Sequence, residues 1–351
     1  GPDALLVDGY GPLVQWLKKD IERLGGKFIL GEKVAEVTLQ EGEGEEDEGK
    51  VLLKTQKTTR DATDESNQQA PTQKQYLTPY SLLTLPLGVL KHDPPVFNPP
   101  LPLRRRQAID RLGFGLLDKV VLVYETAWWA SSEQPATRPN DGNEDEAEEQ
   151  GDSTIKMLLV SDEHPTRLMG PSGGLYPDSE NIPTGAFPPR TPEYVKEHPQ
   201  ALMIFDVHAQ SGIPALCLFI GGERGDVMEA CTDEETKRWA VDAVNSYLGK
   251  PLFTSRSTNQ NKDIPQPKEV IRTTWRADPN AYGSYSFIPK GGIEGQTAAS
   301  PIDQLELSRT LWDKVFWAGE HTEVNRYSTV HGAWTTGVRE AEKILVKLEA
   351  K

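Results

Sequence analysis

The sequence has little cysteine and no recognisable metal-binding histidine motif. Cys217 and Cys231 are the only cysteines in 351 residues, too few for a disulfide framework. The six histidines are scattered, and none forms the His-Glu-x-x-His arrangement that binds zinc on a helix. The sequence therefore predicts two buried free thiols and no metal site.

Long hydrophobic runs are also missing. No stretch approaches the ~18 to 20 consecutive apolar residues of a membrane-spanning helix, and the amino terminus has no basic segment followed by an apolar one. With 36% hydrophobic residues, the chain has the composition of a globular protein of one or two domains. We therefore expect a soluble intracellular protein, cytoplasmic or nuclear, that does not associate with a membrane.

Positive charge is scarce in two segments. Residues 41–49 contain six acidic side chains and no basic one, and residues 132–154 contain eight acidic side chains and one arginine. Together they hold −13 of the net charge of −15, so the remainder of the chain is nearly neutral. Such runs are typical of solvated loops; the alternative is an acidic guide for a polyamine or a histone tail. No feature indicates direct binding of nucleic acid.

A glycine-rich dinucleotide-binding motif is absent as well. The βαβ unit that cradles a diphosphate carries G-x-G-x-x-G between a strand and a helix, and no such string occurs. Gly42 and Gly44 lie in the first acidic segment without that context. The chain itself therefore supplies no glycine-rich diphosphate cradle.

What the sequence does contain is a series of helix and strand patterns. Apolar residues at three- and four-residue spacing predict helices, and short apolar or alternating runs predict strands. The predicted helices are 13–24, 103–112 and 234–248, and the predicted strands are 27–30, 33–39, 51–55, 76–83, 119–124, 157–160, 201–207, 215–221, 270–275 and 284–288. They favour a mixed α/β (α+β) fold in which an antiparallel substrate sheet is interleaved with parts of a cofactor domain.

The segment from Val315 to Ile344 combines a strand, a tight turn and a helix. Val315 to Trp317 form a short apolar run, and Gly319 permits a sharp turn. Thr329 can cap a helix that starts near Val330. The helix start would direct free N–H groups and positive dipole charge back toward the turn, which predicts an anion-binding or cofactor-binding edge.

The strings AGEHT and STVHGAWTTGVREAEKI in this segment resemble the carboxyl-terminal flavin-binding signature of the flavin-dependent amine oxidases. Upstream, GYGPLVQWL, LTLPLGVLK, RLGFGLLDKVVLVYE and PQPKEVIRTTWRADPNAYGSYSFIPKG resemble the same family in the same order. WRADP and GSYSF are most similar to the polyamine oxidase and lysine-specific histone demethylase branches. The resemblance implies FAD as the cofactor, and it implies that the chain is the carboxyl-terminal portion of such an enzyme, without the dinucleotide-binding βαβ unit.

The resemblance also implies a domain organisation and a flavin amine oxidase-like fold. An antiparallel substrate domain would interrupt a partial FAD-binding domain. The implied parts are 1–90 for FAD binding with an acidic loop at 41–49, 91–290 mainly for substrate binding with insertions at 131–154 and 171–200, and 291–351 as the carboxyl-terminal FAD-binding segment and helix.

Three residues match positions that the family uses next to the substrate. Lys119 ends the FGLLDK run, where the family has a lysine that holds a water against flavin N5; otherwise it would be a surface lysine at a strand edge. Trp275 and Tyr285 match aromatic residues that wall the flavin and the amine, although core packing alone would also explain them. Asn280 stands where the demethylases commonly have an aromatic residue.

Five residues match cofactor-binding positions of the family. Gly319 and Glu320 form the turn expected near the flavin ribityl and diphosphate chain. Thr329 and Val330 match the loop-to-helix junction beneath the flavin ring, where N–H groups stabilise negative charge. Val34 is similar to a position whose backbone meets the adenine.

These matches predict FAD-dependent oxidation of an amine to an imine, with O2 as the acceptor and H2O2 as a product. The first hypothesis is a polyamine oxidase whose substrate is a small cationic amine. The second is a lysine-specific histone demethylase that acts on a histone tail by the same chemistry. The third is a catalytically silent fragment that binds partners through its acidic loops.

Overall fold

The computed structural model describes residues 9–42, 49–58, 73–129, 157–159, 167–168, 203–248, 265–290 and 297–350. The predicted insertions at 131–154 and 171–200 lie outside these residues, as does most of the acidic loop at 41–49.

The first half of the described chain alternates short helices with strands. In chain order these are α1 (Gly11–Arg23), β1 (Glu32–Gln40), β2 (Lys50–Lys57), β3 (Gln73–Thr78), β4 (Ser81–Leu83), α2 (Leu87–His92), β5 (Val96–Asn98), α3 (Leu103–Arg111), β6 (Gly113–Gly115) and β7 (Leu117–Val123).

The second half contains the two longest helices. Its elements are β8 (Met157–Leu159), β9 (Arg167–Leu168), β10 (Met203–Asp206), α4 (His208–Ser211), β11 (Ala215–Gly221), α5 (Glu223–Glu229), α6 (Asp233–Leu248), β12 (Glu269–Arg272), β13 (Tyr285–Phe287), α7 (Pro301–Leu307), β14 (Val315–Trp317), a 3-10 turn (Glu320–Thr322) and α8 (Val330–Glu349).

The chain folds into two compact units, and each is built from separate stretches of sequence. Unit 1 contains Gly1–Trp16 and Leu117–Thr274, and unit 2 contains Leu17–Leu116 and Trp275–Lys351. The middle of the chain therefore belongs to unit 1 together with the first 16 residues, and the two segments that flank the middle belong to unit 2.

The described residues of unit 1 form a sheet with a helix, α6, packed on one face. Its strand order is β12-β7-β11-β10-β8-β9, and every pairing is antiparallel. Burial alternates along β7, because Val120 and Leu122 are fully buried while Lys119 and Val121 are half-buried. The buried side chains form one core with residues of α6, among them Trp239 and Ala240. Lys119 consequently lies on the opposite, more open face of the sheet.

The described residues of unit 2 form three small sheets around a second core. A sheet of order β3-β2-β1-β5, an antiparallel pair β13-β6 and a parallel pair β14-β4 are present. Val315 and Trp317 of β14 share one apolar cluster with Leu87 of α2 and Leu112 after α3. This core fixes the strand that leads into Gly319 and Glu320.

The predicted mixture of helix and antiparallel sheet is confirmed. The predicted strand 76–83 is instead two strands in different sheets, β3 (Gln73–Thr78) and β4 (Ser81–Leu83). Residues 27–30 were expected to form a strand, but they have no regular structure. Phe28, Ile29 and Leu30 are 43%, 52% and 83% exposed, so this apolar run is not part of the core, and in the described part of the chain no strand pairs with it. The helix before them, α1, also buries none of its side chains.

The two cysteines are free, as predicted. Cys231 is buried, Cys217 is partly buried, and desolvation raises the pKa of Cys217 to about 11. None of the helices in the described part of the chain is both long enough and apolar enough to cross a membrane.

Candidate functional site

The segment WRADPNAYGSYSF forms a closed turn followed by β13 in unit 2. The N–H of Gly283 donates to the carbonyl oxygen of Trp275 at 2.8 Å, and the Asp278 carboxylate accepts from the N–H of Asn280 at 2.8 Å. Gly283 has φ +141, and a Cβ there would lie 2.6 Å from the ring of Phe114. The glycine thus allows the turn to pack directly on the strand pair β13-β6.

Trp275 and Tyr285 are both held by this turn and strand. Trp275 remains 38% exposed, and Tyr285 is half-buried opposite Gly115 in the register of β13 with β6. Since Gly115 has no side chain, the Tyr285 ring can lie close to the backbone of β6. Trp275 and Tyr285 are therefore two aromatic side chains of unit 2 that are not fully buried in its core.

Glu320 is the centre of a hydrogen-bond cluster. Its Oε1 accepts from the backbone N–H of Ser286 at 3.0 Å, and its Oε2 accepts from the Ser286 hydroxyl at 2.6 Å and from the N–H of Ser328 at 2.6 Å. The Ser328 hydroxyl in turn donates to the carbonyl oxygen of Ser286. One carboxylate thereby joins β13, which carries Tyr285, to the loop that precedes α8.

Thr329 caps α8 as predicted. Its hydroxyl accepts from the N–H of Gly332 at 3.0 Å and donates to the carbonyl oxygen of Arg326 at 2.7 Å. Val330 and His331 begin the helix, so their N–H groups have no acceptor inside it. Val330 is 48% exposed, and the positive end of a 20-residue helix is accessible at this point.

Gly319 is fixed by a hydrogen bond to α8 and by close packing against His321. Its N–H donates to the hydroxyl of Thr336 in α8 at 3.0 Å. Gly319 has φ +143, and a Cβ there would lie 2.6 Å from the ring of His321. Burial lowers the pKa of His321 from 6.5 to about 4, so this imidazole is neutral at pH 7.

Val34 and Lys119 lie away from this cluster in the sequence. Val34 is a half-buried residue of β1, next to an irregularity between Val34 and Glu36, and it packs against the core of unit 2. Lys119 belongs to unit 1, where its Nζ lies 5.1 Å from the centre of the Phe219 ring. The N–H of Lys119 donates to the hydroxyl of Thr273 at 2.9 Å. All the predicted site residues except Lys119 therefore belong to unit 2.

Sequence reasoning missed Ser286, Ser328 and Thr336. Each uses a hydroxyl or an N–H to hold Gly319 or Glu320. Ser286 and Thr336 are fully buried, and a buried hydroxyl needs a partner, but the partner is distant in sequence. Ser328 lies between two recognised positions, and its φ of +63 is uncommon for serine.

The donors at this site fit a flavin better than a metal ion. Within the described ranges, no group of three or more His, Cys, Asp or Glu side chains could hold a metal ion. The start of α8 offers N–H donors and positive dipole charge, which suit a ring that carries negative charge when reduced.

Comparison with known proteins agrees with this chemistry. The family described as flavin containing amine oxidoreductase matches residues 1–345. Lysine-specific histone demethylase 1 homolog 2 of Arabidopsis thaliana is 29% identical over 266 residues, which are 75% of this chain and 26% of that protein. The human peroxisomal N(1)-acetyl-spermine/spermidine oxidase is 27% identical over 268 residues, which are 75% of this chain and 42% of that protein.

A solved structure shares the fold. Wild-type putrescine oxidase bound to putrescine is similar with a TM-score of 0.54 and 17% identity, over 95% of this chain and 52% of that one. This chain thus spans about half of that structure and less than half of the two relatives. Since the family matches nearly the whole chain, the protein belongs to the flavin-containing amine oxidoreductases, whose cofactor is FAD.

Proposed function

We propose that the protein takes part in the FAD-dependent oxidation of a cationic polyamine, with O2 as the electron acceptor. The observation that carries this proposal is the Glu320 cluster. It connects the aromatic strand β13 to the start of α8 through three hydrogen bonds to one carboxylate. Side chains suited to an amine and donors suited to a flavin therefore belong to one rigid network in unit 2.

On the cofactor side, bound FAD would supply the hydride acceptor. Thr329 and Val330 would direct the start of α8 at the ring, and Gly319 and Glu320 would line the path of the chain that continues from it. The Glu320 carboxylate accepts three hydrogen bonds of the roughly four that its two oxygens can take, which leaves room for a hydroxyl. Val34 would contact the adenine through its backbone.

On the substrate side, Trp275 and Tyr285 would hold the alkyl chain and orient the nitrogen of the amine. Lys119 would hold a water next to the flavin. Its place on the open face of a strand, against the ring of Phe219, supports a role outside the core. The carbon next to the nitrogen would lose a hydride, and water would hydrolyse the imine to an aldehyde and a shorter amine.

Histone lysine demethylation is the second candidate. It is favoured by the similarity to several lysine-specific histone demethylases, such as the Arabidopsis relative at 29% identity and a possible lysine-specific histone demethylase 1 of Drosophila melanogaster, also at 29%. The bond that is broken would be the same type of C–N bond. The two candidates differ in whether the amine is free or part of a peptide.

A single experiment separates these functions. The purified chain is incubated with FAD, and unbound flavin is removed before the visible spectrum is recorded. The protein is then assayed for H2O2 with spermine, N-acetylspermine and a methylated histone peptide. We expect bound flavin and turnover of a polyamine. Turnover of the peptide alone would favour demethylation, and a colourless, inactive protein would favour a silent binding module.

A further inference from the structure

We propose that Glu320 is a positioning residue, which holds Ser328 in a left-handed backbone conformation and thereby fixes the start of α8. The importance of this role of Glu320 for catalysis rests on the proposed function. The effect of Glu320 on the conformation of Ser328 does not depend on a cofactor, so it can be tested on the flavin-free protein.

The first observation is the conformation of Ser328. Its φ is +63, a region that residues with a Cβ occupy at a cost and that glycine occupies freely. Such a conformation persists only where surrounding contacts determine it. The Glu320 carboxylate accepts from the N–H of Ser328 at 2.6 Å, and the Ser328 hydroxyl donates to the carbonyl oxygen of Ser286.

The second observation is that Glu320 is itself fixed. Ser286 is fully buried and donates both its N–H and its hydroxyl to the Glu320 carboxylate. Hydrogen bonds to a charged acceptor are about twice as strong as neutral ones. The carboxylate therefore fixes the backbone of Ser328 relative to β13.

The third observation is that the conformation of the loop at Ser328 is coupled to the N-terminal cap of α8. Thr329 follows Ser328 directly, and its hydroxyl bonds both Arg326 and Gly332. The Arg326 carbonyl lies so close to the helix that a Cβ on Gly332 would approach its oxygen to 2.2 Å. A change of φ at Ser328 would displace Thr329 and open this cap, so the exposed donors of the helix start would lose their fixed direction.

The test is a double-mutant cycle read by hydrogen exchange on the flavin-free protein. The peptide covering residues 329–335 reports on the cap of α8. We expect Glu320→Ala to speed exchange in this peptide by about tenfold or more, because a charge-assisted hydrogen bond is lost. In the Ser328→Gly background, where positive φ has no steric cost, the same change should speed exchange less than about threefold.

Two further variants isolate the cause. Ser328→Ala removes the hydroxyl but retains the cost of positive φ, so Glu320→Ala should keep its full effect in that background. Glu323→Ala removes a carboxylate of the same loop, which accepts from the N–H of Asn325 at 3.1 Å, and it should leave the cap unchanged. Glu320→Gln keeps an acceptor and should give an intermediate rate, and it replaces Glu320→Ala in the cycle if the alanine variant does not fold.

Equal acceleration by Glu320→Ala in the parent protein and in the Ser328→Gly background would overturn the proposal, since Glu320 would then act independently of the conformation at Ser328. An unchanged exchange rate in Glu320→Ala would also overturn it. A chain that binds no flavin would refute the proposed function while the cycle still decides the role of Glu320.

Discussion

Lys119 and Glu320 are both recognisable in the sequence, but the structure supports them in different ways. Lys119 projects from the open face of β7 and contacts the ring of Phe219, while its backbone is held by the sheet and by Thr273. Glu320 accepts three hydrogen bonds from Ser286 and Ser328. The proposed role of Lys119 in the reaction needs a reachable side chain, whereas the proposed role of Glu320 in shaping a cofactor site needs fixed partners.

This contrast gives different expectations for substitutions in the two regions. Changes at Lys119 should alter rates and leave the protein intact, since its side chain contributes little to the core. Changes around Gly319 and Glu320 should alter the stability of unit 2 and the order of α8.

The largest expected effect is that of Lys119→Met in the flavin-loaded protein. Flavin reduction or reoxidation should slow by about 10²-fold or more, because the water that Lys119 would hold loses its fixed position, while the FAD content stays the same. Stopped-flow absorbance measures both half-reactions. The control is Lys268→Met, since Lys268 is exposed and pairs with Glu125 at 3.7 Å in the same unit. Unchanged rates in Lys119→Met would remove Lys119 from the chemistry.

The next effect is the pH dependence contributed by His321. Burial lowers its folded pKa from 6.5 to about 4, so the unfolded chain binds an additional proton as pH falls below 6.5. Stability should therefore be complete above pH 6.5 and decline toward pH 4, with a slope of at most about 1.4 kcal/mol per pH unit from this group. Urea unfolding at several pH values measures the slope, which should become flatter in His321→Gln.

Thr336→Val should destabilise unit 2 by about 1 to 3 kcal/mol, because the N–H of Gly319 loses its buried acceptor. Thr335 is the matched control, since it is exposed and its hydroxyl bonds the carbonyl of His331 within the helix. Thr335→Val should change the free energy of unfolding by less than about 0.5 kcal/mol. Similar losses in both variants would show that the Gly319 turn does not depend on Thr336.

Two glycines of α8 should respond with opposite signs. Gly332→Ala should destabilise by about 1 to 3 kcal/mol, because its Cβ would meet the carbonyl oxygen of Arg326 at 2.2 Å. Gly337 has open space where a Cβ would lie, so Gly337→Ala should stabilise by about 0.5 to 1 kcal/mol. Thermal unfolding of the two variants measures both. Stabilisation by Gly332→Ala would contradict the close packing of the loop on the helix.

The sequence was sufficient for elements whose pattern is local. The start of α8 was predictable because Thr329 is a capping residue and the apolar spacing follows directly. The strand at Leu117–Val123 was predictable from its apolar run. Residues 27–30 show the limit, because an apolar run forms a strand only where another strand pairs with it.

The hydrogen bonds that hold Gly319 and Glu320 in place could not be predicted, because they join residues that are distant in the sequence. Ser286 lies 34 residues before Glu320 in the sequence, and Thr336 lies 17 residues after Gly319. No spacing rule connects such residues, because the fold alone brings them together. Resemblance to a family identified Glu320 and Thr329, but it gave no information about the serine between Glu320 and the helix that adopts a positive φ.

The most direct test of the proposed function is anaerobic addition of spermine to the flavin-loaded protein, followed by admission of O2. We predict that the visible flavin absorbance bleaches in the wild-type protein and returns with O2, and that Lys119→Met slows one of these steps without loss of bound FAD. Bound flavin that keeps its absorbance with spermine, N-acetylspermine and methylated histone peptide would contradict amine oxidation by this chain.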